Sequence, residues 1–88
     1  MGKPLPEAIG ECKKSAGLVR YFAENAEKFM QPVEIDMGFK KAQSVPQPLG
    51  PIFSIQPWNF PLFLPFKCSF PSIMAGNTVL MKPAPSVP

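Results

Sequence analysis

Between Pro6 and Met30, the apolar positions Ile9, Cys12, Ala16, Val19, Ala23, Ala26 and Met30 recur at alternating spacings of three and four. That rhythm lays one stripe along an α-helix and predicts a helix over about residues 6–30. Leu18, Phe22 and Phe29 widen the stripe, while Lys13, Lys14, Arg20, Glu24, Glu27 and Lys28 fall mostly elsewhere. Pro6 suits a first helical turn, Glu7 and Glu11 sit where the helix dipole is positive, and Pro32 forces an end. Gly10 and Gly17 each weaken such a helix by about 1 kcal/mol relative to alanine, and would let a partner surface approach closely. A stripe this broad needs covering, and little before residue 50 can cover it.

Residues 31–48 carry no sustained period and read as an irregular or short-stranded connection. From Leu49 the pattern changes. "PIFSI" (Pro51–Ile55) alternates and is β-rich, and Pro57 closes it. Pro61 fits the first turn of a second helix running toward Ala75, bent near Pro65 and Pro71, with Asn59 close to its N-cap. Gly76-Asn77 signals the stop, "TVLMK" (Thr78–Lys82) reads as another strand, and Pro83 and Pro85 end it. Strand, helix and strand over about 51–82 fit a βαβ unit, with both strands apolar as if covered by helices on both faces. The fold class is therefore α/β: a long amphipathic helix followed by the βαβ unit of a partial Rossmann-like domain occupying residues 1–88. Ligands of such sheets sit outside the carboxyl ends of the strands. Those ends carry Gln56-Pro57-Trp58-Asn59 and Lys82-Pro83-Ala84, so Asn59 and Lys82 are expected to face one crevice. No G-x-G-x-x-G follows the first strand.

Totals remove several functions. The 88 residues carry nine basic and six acidic side chains, a balance too mild to point to nucleic acid. Every acid lies at or before Asp36, and after Lys41 only Lys67 and Lys82 are charged. There is no histidine and no C-x-x-C, which removes a zinc site and both the Cys–His and Ser-His-Asp arrangements from these residues. Cys12 and Cys68 are expected as buried apolar fillers of a reducing compartment, which puts the chain in the cytoplasm and leaves a mitochondrial address open. The N-terminus has no apolar core of a secretion signal. The longest charge-free run, Ala42 to Phe66, contains six prolines, too many for a membrane-spanning helix to close its backbone hydrogen bonds. QPLGP and KPAPSVP lack the flanking basic residues and repeated register of a polyproline ligand.

Within that run, "IQPWNFPLFLPF" sets one asparagine, Asn59, between Trp58 and large apolar side chains. A helix N-cap is one explanation; a hydrogen-bond donor built into an apolar wall is the other. Four segments decide between them by resemblance. "PLGPIFSIQPWNFP", "AGNTVLMKPA", "GKPLPEA" and "YFAENAEKF" resemble, at matching separations, blocks of the aldehyde dehydrogenase superfamily, over essentially the whole chain. The wording around Trp58 and Gly76 is most similar to the succinate-semialdehyde dehydrogenase branch.

The resemblance implies an NAD- or NADP-dependent oxidation of a small aldehyde, with succinate semialdehyde a candidate, in a parent that forms homo-oligomers. It implies that Asn59 donates its amide to the substrate oxygen as that oxygen becomes an oxyanion. It also implies that Gln56, Pro57 and Trp58 lie with their backbone near the cofactor, and that Lys82, followed by Ala84 and Pro85, binds the adenosine ribose. Relatives preferring NAD often carry an acid where Pro85 stands, so its absence leaves NADP open. Pro51 stands where valine is common, which questions strand pairing there. The general-base glutamate and nucleophilic cysteine of the family have no match here, and neither Cys12 nor Cys68 sits in a matching motif. The expectation is a piece cut at both ends, with Met1 not a natural start, inactive alone. The alternative is an inert interaction fragment that pairs with full-length subunits through its long helix.

Overall fold

The computed structural model describes residues 2–38 and 40–88, so the expectation placed on Met1 lies outside the described residues. Along the chain come α1 (Leu5–Met30), β1 (Val33–Asp36), β2 (Lys41–Ser44), β3 (Pro51–Ile55), α2 (Phe63–Met74) and β4 (Thr78–Lys82). The chain is α/β, and α1 has the predicted length to within a residue. It opens after Pro4, with Pro6 in its first turn, and Gln31 leaves it in extended conformation just before Pro32.

The buried face of α1 departs from the predicted stripe in the first half of the helix and shares Val19, Ala26 and Met30 with it in the second. Ser15 and Glu11 are its buried residues, with Leu18, Val19, Phe22, Ala26 and Met30 half-buried in continuation of that line. Ile9, Cys12, Ala16 and Ala23 are exposed. The reason is the partner: α1 lies on α2, and two polar residues occupy the tightest part of that contact. Each is satisfied there, Ser15 by donating to the Glu11 carbonyl at 2.8 Å and Glu11 by bonds to the start of α2. A period counted on apolar residues alone misses a helix face whose centre is polar. A Cβ placed on Gly10 or Gly17 would meet nothing within 4 Å, so the expected close approach is not made by any described residue.

The connection folds into an antiparallel hairpin, Val33 opposite Ser44 through Asp36 opposite Lys41. Its turn is held by the Gly38 N–H donating to Asp36 Oδ1 at 2.9 Å, with Gly38 at a φ of +75°. This hairpin does not join the second sheet. There, β3 and β4 run parallel with α2 between them in sequence, Pro51 opposite Thr78 through Ile55 opposite Lys82. Pro51 pairs after all. It takes the first position of its strand, where a missing N–H is tolerated.

The layers are α1, then α2, then the β3–β4 pair. α2 covers the side of the sheet that holds Ser54, Ile52 and Val79; the opposite side presents Phe53, Ile55 and Leu80, each more than 60% exposed. Helices on both faces were expected from the apolar strands, and one face is covered. Buried positions among the described residues are Glu11, Ser15, Ser54, Pro65, Ser69 and Ala84. The radius of gyration is 17.3 Å, against about 12 Å for a compact domain of this length.

Candidate functional site

The two strand ends meet as the βαβ pattern requires. The Gln56 N–H donates to the Lys82 carbonyl at 3.1 Å, which extends the ladder one step past Ile55 and ties the outgoing segment 56–62 to the end of β4. Lys82 is exposed, and no carboxylate among the described residues pairs with it. Pro57, Trp58 and Asn59 follow on the surface; Ala84 is buried and Pro85 exposed. The Gln56 side chain turns back, donating to Ser54 Oγ, which in turn lies 3.3 Å from Cys68 Sγ beneath the sheet. Cys68 is thus a hydrogen-bond partner of Ser54, and Cys12 lies on the surface of α1; neither is the buried apolar filler expected.

Asn59 is not the cap of α2. That helix begins at Phe63, with Leu62 in the capping position and no cap from its own side chain. The cap comes from α1. Glu11 Oε1 accepts the N–H of Leu62 at 2.8 Å and of Phe63 at 3.0 Å, and its other oxygen takes the ammonium of Lys3. Burial alone would push the Glu11 carboxyl up. The Lys3 hydrogen bond, the two backbone N–H groups and the Lys3 charge outweigh it and hold the group below its ordinary value. The Asn59 amide is exposed and has no hydrogen bond to any described residue.

Sequence reasoning credited Glu11 to the dipole of its own helix; it serves the dipole of another. The legible trace was negative. Phe60-Pro61-Leu62 offers no side-chain acceptor before α2, so an outside cap was needed. Lys3 and Lys14 add to the same contact, lying 4.6 Å and 4.3 Å from the ring centres of Phe60 and Phe63. A groove of about 290 Å³ runs along it, lined by Lys3, Glu7, Glu11, Lys14, Phe60 and Phe63. Neither Asn59 nor Lys82 lines that groove. Among the described residues no helix is long and apolar enough to cross a membrane.

The other motif block does structural work. Gly76, at a φ of +86°, ends α2: its N–H donates to Ile73 and that of Asn77 to Ser72, the paired bonds of a Schellman stop. The Asn77 side chain accepts the N–H groups of Leu49 and Gly50 at 2.6 and 2.9 Å and donates to the Ser72 carbonyl, so it fastens the entry of β3 to the exit of α2.

The parallel β3–β4 pair bridged by α2 is a βαβ unit, and the fold is α/β. The Aldehyde dehydrogenase family model matches residues 1–88, and the chain belongs to that family. It is 43% identical over 91 aligned positions to the NADP(+) succinate-semialdehyde dehydrogenase 1 of Mycobacterium bovis, covering all of this chain and 20% of that protein. A relative from Deinococcus radiodurans, also named as an NADP(+) succinate-semialdehyde dehydrogenase, is 38% identical over 82 residues, 93% of this chain and 17% of its own. The crystal structure of succinic semialdehyde dehydrogenase from Streptococcus pyogenes with NADP+ superposes at a TM-score of 0.94 and 31% identity, covering 99% of this chain and 19% of that one. The chain therefore spans about a fifth of the length of the relatives it matches.

Proposed function

We propose that this chain is the segment of an NAD(P)+-dependent aldehyde dehydrogenase that supplies the oxyanion donor, Asn59, and a ribose-binding lysine, Lys82. The observation that carries the reading is the exposed Asn59 amide, without a hydrogen-bond partner among the described residues in the turn between β3 and α2, in a chain that matches the family from end to end. The overall reaction takes an aldehyde, water and NAD(P)+ to the carboxylic acid, NAD(P)H and a proton. A cysteine thiolate supplied by another part of the parent protein forms a carbon–sulfur bond to the carbonyl carbon, and the carbonyl electron pair moves onto oxygen. Asn59 Nδ2 donates to that oxygen as its charge develops. Lys82 would hold the ribose hydroxyls of the cofactor, with the backbone of Gln56–Trp58 alongside; when bound, the nicotinamide accepts the hydride. The chain's residues suit that role: an unpaired ammonium at the carboxyl end of a parallel strand is open to a polar ligand.

The substrate proposed is succinate semialdehyde and the cofactor NADP+, by the names of the relatives. On this reading the isolated 88 residues are inactive, because neither Cys12 nor Cys68 sits in a motif matching the family's nucleophile and no glutamate matches its general base. The test is a segment exchange. This chain replaces the equivalent fifth of the Mycobacterium bovis relative, and NADPH formation with succinate semialdehyde is followed. Turnover comparable to the parent is expected. A folded hybrid without aldehyde-dependent NADPH formation would defeat the reading. In that event, co-elution of the isolated chain with the intact relative would favour the inert interaction fragment.

A further inference from the structure

The turn that carries Asn59 is held from outside. Within four residues of it, α1 and the segment before it make four contacts. Glu11 accepts the N–H groups of Leu62 and Phe63, Lys3 lies over the Phe60 ring, and Lys14 lies over the Phe63 ring. Behind Asn59 the segment is tied by the Gln56 N–H donating to the Lys82 carbonyl, and ahead of it the N–H groups of Leu64 and Phe66 donate to the Phe60 and Leu62 carbonyls. Glu11 itself is fixed: it is buried, paired with Lys3, and one turn from Ser15, the most buried residue described.

We propose that Glu11 is a positioning residue for Asn59, setting the direction of its amide by anchoring the backbone that follows it. The inference rests on the proposed role of Asn59 as oxyanion donor. A preorganised donor is sensitive to small displacements, and a shift of about 1 Å can lower a rate about 10²-fold. Two part-buried charge-assisted bonds are a means of preventing that shift. The alternative is that Glu11 only stabilises α2, and a double-mutant cycle separates the two.

In the segment-exchange hybrid, Glu11→Ala is expected to lower kcat by about 10- to 100-fold, with the KM for NADP+ changed less than about twofold. Glu11→Gln keeps an acceptor oxygen at the same reach, so its kcat should fall between the two. With Asn59→Ala already present, Glu11→Ala should cost little more, because the group it positions is gone. Additive losses in the cycle, or a kcat for Glu11→Ala within twofold of the unsubstituted hybrid, would overturn the proposal while leaving Asn59 as donor. An Asn59→Ala hybrid with full kcat would instead sink the underlying reading. If Glu11→Ala does not fold, the same cycle run with Glu11→Gln decides: coupling to Asn59 supports positioning and additivity rejects it.

Discussion

Glu11 carries a consequence for stability against pH. Its folded-state carboxyl is held below the ordinary value, so its stabilising effect is present above the ordinary carboxylate range and is lost as pH falls through the lower folded value. Lys3, Glu7 and Lys14 line the groove around it, and Lys3 is its ion-pair partner. In the hybrid, the melting temperature should drop on acidification more for Glu11 than for Glu11→Gln, which cannot titrate; parallel melting curves would count against the cap. A second expectation belongs to Pro85, exposed just beyond buried Ala84. In the proposed reading Pro85→Glu would set a carboxylate against the 2′-phosphate of NADP+. It should cut kcat/KM for NADP+ by about tenfold or more while sparing NAD+; an unchanged preference would remove Pro85 from the cofactor site. Asn59 and Lys82 could be proposed from the sequence because their motif blocks are local strings of residues. Glu11 was not, since the groups it caps come 51 and 52 residues later and no local pattern joins them.

At the scale of elements, lengths and order were written in the sequence more clearly than faces were. The α1 period and the Pro32 stop fixed a helix, and Gly76-Asn77 fixed the end of α2, because each acts within one turn of chain. Which side of α1 would be covered depended on α2, whose contact centres on Glu11 and Ser15. The hairpin of β1 and β2 gave only a weak signal, two four-residue strands with exposed side chains. Gly76 is the sharpest test at this scale. Alanine there must adopt a φ of +86° and place its Cβ 3.4 Å from that of Pro48. The hybrid should lose about 1–2 kcal/mol of stability in denaturant unfolding. Asn77→Ala would strand the Leu49 and Gly50 N–H groups and should cost about 1–3 kcal/mol. No loss at either position would mean that the stop of α2 and the entry of β3 are not coupled as described.

Across the whole molecule, the described residues measure 62 × 24 × 16 Å and leave Phe53, Ile55 and Leu80 on an open sheet face. Tyr21, Phe29 and Ile73 are exposed on the helices as well. Burial this slight cannot offset the conformational entropy of ordering the chain, about 1–2 kcal/mol per residue for the backbone alone. The isolated 88 residues are therefore expected to bind a dye for exposed apolar surface and to unfold without a sharp transition. A cooperative melt would show that the three layers suffice. The same surfaces explain why both sheet faces were predicted covered: strand composition reports the complete environment of a strand, and these residues supply half of it.

The most direct measurement is the rate of the first NADPH burst in the segment-exchange hybrid, with Asn59 and with Asn59→Ala, under single-turnover conditions with succinate semialdehyde. An oxyanion donor acts before and during hydride release, so alanine should slow the burst by about 10²–10³-fold while cofactor affinity is unchanged. Equal burst rates would contradict the assignment of Asn59.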